Sequence, residues 1–125
     1  MSDPILVAIA WPYANAEIHV GNLTGSHLPG DIFARYQRLR GREVLMVSGS
    51  DSHGTPITIR ADAEHKTPVE VYQHSHAGFL DLFQQLGITY NLFTSTHTAN
   101  HFDVSQKIFM ALFKNGYLYP EKQHP

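Results

Sequence analysis

The sequence predicts an α/β fold built on a parallel sheet, and three segments carry that expectation. Ile5-Leu6-Val7-Ala8-Ile9-Ala10 is a short apolar run stopped by Pro12, which reads as a buried strand. From Val20 to Arg40, Leu23, Leu28, Ile32, Phe33, Tyr36 and Leu39 recur at three- and four-residue spacing, the period of a helix that packs one stripe. Val44-Leu45-Met46-Val47 is a second buried strand, expected to end at the small, polar Ser48-Gly49-Ser50-Asp51. A strand, a long helix and a strand form a right-handed βαβ unit whose strands run parallel.

Pro29-Gly30 is expected to kink the first helix or delay its regular part. Gly41 supplies its C-terminal stop. Pro56 opens a helix that reaches Glu64, with proline in the first turn. Thr67-Pro68-Val69-Glu70 starts another, which runs to Leu86 and stops at Gly87. Leu92-Phe93-Thr94-Ser95 is a short strand. A last helix, near Asn100 to Lys114, is expected to turn Phe102, Ile108, Phe109, Leu112 and Phe113 inward before Asn115-Gly116 ends it. Leu118-Tyr119-Pro120 then leaves the core. So few strands, with helices on both faces, make a marginal sheet, and the pattern reads as part of a larger fold. In that case Phe109 and Phe113 face whatever completes it.

The chain has 125 residues, room for one small domain and little more. With 42% hydrophobic and 16% charged residues it reads as globular rather than disordered. A net charge of −2 provides no electrostatic footprint for nucleic acid, so basic surface for an RNA partner would have to come from elsewhere. There is no cysteine, which excludes disulfides and thiolate zinc sites within these residues. The Met-Ser-Asp-Pro start is not a signal peptide, and no apolar run approaches the roughly 18 residues of a membrane span. The expectation is a cytoplasmic protein without a membrane partner.

Three constellations could carry chemistry. His19-Val20-Gly21-Asn22 opens the long helix, where unpaired N–H groups and a partial positive charge favour phosphate. Gly21 leaves space for a nucleotide, His19 is a donor, and Asn22 presents an amide one turn on. The same residues would equally form a capping turn with a surface histidine. Ser48-Gly49-Ser50-Asp51-Ser52-His53-Gly54-Thr55-Pro56 lies at the carboxyl end of the second strand, where open α/β sheets bind ligands. Asp51 could hold a substrate ammonium there, or serve as an ordinary cap. Trp11-Pro12-Tyr13 leaves the first strand towards that crevice and could wall an apolar pocket or simply pack the strand exit.

Nine histidines raise a metal site, and His74/His76 and His97/His101 are the closest pairs. With no cysteine and no HExxH glutamate beside them, solvated helix faces or caps are the better reading, and no metal ligand is expected. No nucleophile motif is present. Asp31 and Arg35, at i and i+4, read as a supporting ion pair, and Arg35, Arg38, Arg40 and Arg42 as a solvated face rather than phosphate contacts.

Taken in order, Trp11-Pro12-Tyr13-Ala14-Asn15-Ala16-Glu17-Ile18-His19-Val20-Gly21-Asn22, then Asp31 to Val44, then Ser48 to Ile57, resemble the start of a class I aminoacyl-tRNA synthetase, specifically the methionine family. Ser95-Thr96-His97 and Lys114 to Leu118 extend the resemblance, which covers Ile5 to Tyr119. It implies a Rossmann-like domain that joins methionine to ATP with Mg2+, releases pyrophosphate and passes the aminoacyl group to tRNA. By the same resemblance residues 1–125 form the first half of that domain, and its partners are methionine, ATP, tRNA through regions missing here, and the remaining half. His19 and Asn22 are then the catalytic pair and, with Gly21, the ATP contacts. Asp51 and the Trp11 backbone bind the substrate ammonium. Tyr13 lines the side-chain pocket, and His53 belongs to the same methionine-binding motif.

Two departures from the family pattern stand out. Asn22 replaces the second histidine of the signature; it keeps a donor but cannot carry charge. The family's Lys-Met-Ser-Lys-Ser loop, its cysteine-rich zinc insertion and its anticodon-binding helices do not occur in these residues. An isolated chain of this extent is therefore expected to be a poor or inactive ligase. The rival reading is a truncated, synthetase-like paralogue that binds a nucleotide or a partner without catalysis.

Overall fold

In the computed structural model, described here for residues 3–121, the strands β1 (Ile5–Ala8), β2 (Val44–Ser50) and β3 (Leu92–Ser95) form one parallel sheet in the order β1-β2-β3. The expected domain's outermost residues, 1–2 and 122–125, lie outside the described residues. The register places Val7 beside Met46 and Gly49 beside Thr94. The helices are α1 (Val20–Asn22), α2 (Leu28–Leu39), α3 (Thr55–Glu64), α4 (Pro68–Gln85) and α5 (Ala99–Lys114), with a π-helical turn, Leu23–His27, joining α1 to α2. The strand–helix–strand unit is thus present, but its helix is interrupted just upstream of Pro29-Gly30. Proline lacks the N–H that would reach back four residues, and the wider turn before it accommodates that loss. Gly30 serves a second end: a Cβ there would lie 2.2 Å from Ile9 Cδ1, so glycine lets α2 close onto β1.

The buried stripe of α2 is not the apolar one. Ile32, Phe33, Tyr36 and Leu39 face outward, while His27, Asp31 and Ala34 turn towards the sheet. Ala34 packs with Val7, Val44 and Met46. Asp31 can be buried because its partners come with it: Oδ1 accepts from the Thr89 amide at 2.7 Å and the Thr89 hydroxyl at 2.6 Å, and Oδ2 pairs with Arg35 Nε at 2.6 Å. Burial pushes this carboxyl up, but the Thr89 bonds and the Arg35 guanidinium outweigh it and hold the group below its ordinary range. The four arginines are not a free solvated face either. Arg35 donates to the Gly87 carbonyl, Arg38 to Thr89 Oγ1 and Asn91 Oδ1, and Arg42 to the Asp3 carbonyl, while Arg40 lies over the Tyr36 ring. Arg35, Arg38 and Arg42 thus tie α2 and its exit to the segments beside the sheet.

Strand β2 runs three residues beyond the apolar run, through Ser48-Gly49-Ser50, all buried. Small residues can continue a central strand when their polar groups are paired. Ser48 Oγ donates to the Ile9 carbonyl at 3.2 Å, and Ser50 Oγ shares a 2.7 Å bond with His76 Nδ1. His76 is therefore turned inward from α4, not placed on a solvated face. Helix α4 begins at a full capping box, with Thr67 Oγ1 accepting from Glu70 N at 3.2 Å and Glu70 Oε2 accepting from Thr67 N at 2.8 Å. Its Phe79 and Phe83 pack on Ala14, Tyr90 and Phe93, and Val71 packs on Ile57 and Ala61 of α3. Helix α5 starts at Ala99, one residue before the expected Asn100, on a Thr98 cap, but buries none of its residues: Ile108, Phe109, Leu112 and Phe113 are exposed rather than inward. Helices cover one face of the sheet, not both. Among the described residues no helix is long and apolar enough to cross a membrane.

Candidate functional site

The chain leaves β1 and returns to the sheet once more before the first helix. Tyr13 forms a parallel bridge with Asp51, through Asp51 N donating to Pro12 O and Ala14 N donating to Asp51 O, both at 2.8 Å. That bridge joins two of the three sequence constellations beyond the carboxyl ends of β1 and β2. Trp11 lies across Gly49: a Cβ at Gly49 would fall 2.8 Å from the indole and 2.8 Å from the Thr94 carbonyl oxygen, so only glycine allows the ring this position. Tyr13 is exposed beside Gly54. The Asp51 carboxylate accepts from the His53 amide at 3.3 Å.

His19, Gly21 and Asn22 form a separate group at the start of α1. His19 is the N-cap, and its Nδ1 accepts from Gly21 N at 2.9 Å. Accepting through Nδ1 leaves the ring proton of the neutral imidazole on Nε2, which is then a donor. A Cβ at Gly21 would come within 3.0 Å of that Nδ1, so the glycine makes room for the capping ring itself. Asn22 is exposed and its side chain caps nothing. The capping and phosphate readings of this turn are thus compatible. Among the described residues no hydrogen bond joins the two groups; the loop between them is pinned by buried Ala14 and by Arg60, which donates to the Asn15 carbonyl.

The sequence did not single out the imidazole and aromatic cluster beside the crevice. The His53 ring stacks on His97 with centroids 5.5 Å apart, Phe102 meets both edge-on, and Tyr72 lies 4.8 Å from His97. His76 packs on Phe93 and, like His97, on Tyr72. Among the described residues no three His, Asp or Glu side chains converge as metal ligands. Deeper in, Tyr90 Oη and His27 Nδ1 share a 2.6 Å hydrogen bond, and burial pushes the phenol up to about 12. Burial also lowers the pKa of His27 and of His76. The available signal for the cluster was Ser95-Thr96-His97, which looks like a simple strand exit until α4 is packed against it.

A parallel α/β sheet with its candidate residues beyond the strand ends is the Rossmann-like architecture of nucleotide-binding proteins. Within that class the comparisons are specific. The model of the family "tRNA synthetases class I (M)" matches residues 5–124, and the chain belongs to that family. It is 60% identical over 121 residues to the methionine–tRNA ligase of Roseiflexus sp. (strain RS-1), covering 97% of this chain and 20% of that protein. It is 54% identical over 123 residues to that of Thermomicrobium roseum, covering 98% and 21%. The chain thus spans about a fifth of the length of these relatives. Among solved structures, the Mycobacterium tuberculosis methionyl-tRNA synthetase in complex with methionyl-adenylate superposes with a TM-score of 0.83 at 26% identity, over 92% of this chain and 22% of that one. An Agrobacterium radiobacter LeuRS in a ternary complex with tRNA and LeuAMS gives 0.85 at 28%, over 93% and 15%. The fold is thus shared by synthetases named for different amino acids.

Proposed function

We propose that this chain carries one side of the active site of a methionine–tRNA ligase, with residues 1–125 forming the first half of its catalytic domain. The reaction is attack of the methionine carboxylate on the α-phosphorus of ATP, giving methionyl-adenylate and pyrophosphate, followed by transfer of the methionyl group to tRNA. The observation that carries the reading is the Tyr13–Asp51 bridge, which joins the strand-exit aromatics to the acidic turn in a family member. Asp51 takes the substrate ammonium together with the Trp11 backbone, and Tyr13 and His53 border the methionine side chain. Gly21, His19 and Asn22 meet ATP, which arrives with Mg2+. With Nδ1 occupied by the Gly21 amide, His19 donates through Nε2 to a phosphate oxygen as its charge grows. No side chain need act as nucleophile, so catalysis is positioning and charge stabilisation.

Binding of tRNA and the remaining transition-state donors are assigned to parts of the protein outside this chain. The uncovered sheet face and the exposed apolar residues of α5 support such a complement. Methionine-dependent ATP–pyrophosphate exchange by the natural gene product tests the activity. Calorimetric titration with a methionyl-adenylate analogue tests the site, with binding expected to be lost in His19→Ala and Asp51→Ala. Analogue binding unaffected by either substitution would overturn the assignment. Analogue or ATP binding by a gene product with no exchange activity would instead favour the non-catalytic paralogue.

A further inference from the structure

Thr96 lies in the turn between β3 and α5, outside the residues assigned above, yet both its polar groups close on the end of β2. Its amide donates to the Ser50 carbonyl at 3.0 Å, and its Oγ1 accepts from the amide of buried Ser52 at 2.7 Å. A threonine hydroxyl has one proton to give. With its oxygen already accepting from Ser52, that proton is directed at Asp51 Oδ1, 3.5 Å away, which also accepts from the His53 amide. Oδ1 of the carboxylate is thereby held from two sides, while Oδ2 has no hydrogen bond among the described residues.

We propose that Thr96 is a positioning residue for methionine recognition: its hydroxyl, anchored on the Ser52 amide, sets the rotamer in which Asp51 meets the substrate ammonium. The proposal rests on the assignment of Asp51 to that ammonium. A carboxylate on a turn otherwise samples several rotamers, and ordering it on binding weakens affinity. A fixed partner removes that loss, as supporting residues do around metal ligands. The contact at 3.5 Å is long and is expected to shorten when an ammonium draws the carboxylate into place.

The test is pyrophosphate exchange by the natural gene product, with KM measured separately for methionine and ATP. Thr96→Val keeps the shape and removes both the donor to Asp51 and the acceptor of the Ser52 amide that anchors it; it should raise the methionine KM about tenfold and leave the ATP KM within about twofold. Thr96→Ser should restore the methionine KM to within about twofold of the parent. In an Asp51→Ala background, Thr96→Val should add less than about twofold, because the group it positions is gone. An unchanged methionine KM in Thr96→Val, a parallel rise in both KM values, or a full additional rise in the Asp51→Ala background would each overturn the proposal. If Asp51→Ala itself leaves the methionine KM unchanged, the ammonium assignment falls and the role of Thr96 with it. If Asp51→Ala raises it and Thr96→Val does not, only the role of Thr96 falls. Should Thr96→Val fail to fold, Thr96→Cys, with a weak donor of similar shape, is read the same way: an intermediate rise supports the proposal and a parental value overturns it.

Discussion

On one face of the sheet Val7, Val44 and Met46 lie under Ala34 of α2, and Phe93 lies under Phe79 and Phe83 of α4. On the other, Leu6, Leu45 and Leu92 are 64%, 50% and 54% exposed, although Val7, Val44 and Met46 beside the first two are buried. Strand residues alternate faces, so the same three strands are finished on one side and bare on the other. Parallel sheets are stable when both faces are covered, and helix α5, which follows β3, carries exposed Ile108, Phe109, Leu112 and Phe113 without packing them. The comparison separates residues that hold this chain together from residues available to a complement, and it can be broken experimentally.

The largest contrast is expected from truncation on the two faces. Phe79→Ala should cost about 3–5 kcal/mol in urea unfolding, whereas Leu45→Ala should cost less than about 0.5 kcal/mol. Similar losses would mean that the bare face is covered in solution. Next, Asp31→Ala removes the acceptor of the Thr89 amide, the Thr89 hydroxyl and Arg35 together, and should cost about 1–3 kcal/mol. Because the Asp31 pKa is depressed, its contribution is present above the ordinary value of 3.8 and is lost as pH falls through the folded value. The buried histidines act at higher pH. His27 and His76 have lowered pKa values, so the unfolded chain binds more protons below the ordinary 6.5 and stability falls as pH drops from there. Each contributes a slope of up to about 1.4 kcal/mol per pH unit, and His27→Gln or His76→Gln should flatten the acid limb of unfolding midpoint against pH. The smallest effect on stability belongs to α5: Phe109→Glu with Phe113→Glu should change it by less than about 0.5 kcal/mol while reducing self-association in sedimentation velocity. A large loss of stability there would show that α5 packs on the sheet.

The βαβ unit, the start of α4 at Thr67 and the presence of α5 from near Asn100 were legible because each depends on local chemistry: apolar runs, helical spacing, proline placement and, at Thr67, a side-chain cap. The candidate site was legible for the same reason, since His19-Val20-Gly21-Asn22 and the Asp51 turn are contiguous segments. The joining of Trp11-Pro12-Tyr13 to the Asp51 turn was not, because it depends on a backbone pairing across 38 residues of chain, the difference between positions 13 and 51. Nor was the orientation of α2. Helical spacing identifies an apolar stripe, but which stripe is buried depends on what the sheet and Thr89 offer, and a paired Asp31 displaced Ile32 and Phe33 from the interior.

The sequence by itself therefore determined the order and type of the elements, the family and the residues available for chemistry. These follow from short-range preferences that each segment expresses alone. Only the tertiary structure decided which face of each helix is buried, that Ser48 to Ser50 continue a strand, and that Thr96 reaches the Asp51 turn. Those outcomes depend on polar groups finding partners from distant segments, and burial of a polar group is favourable only where such a partner arrives with it.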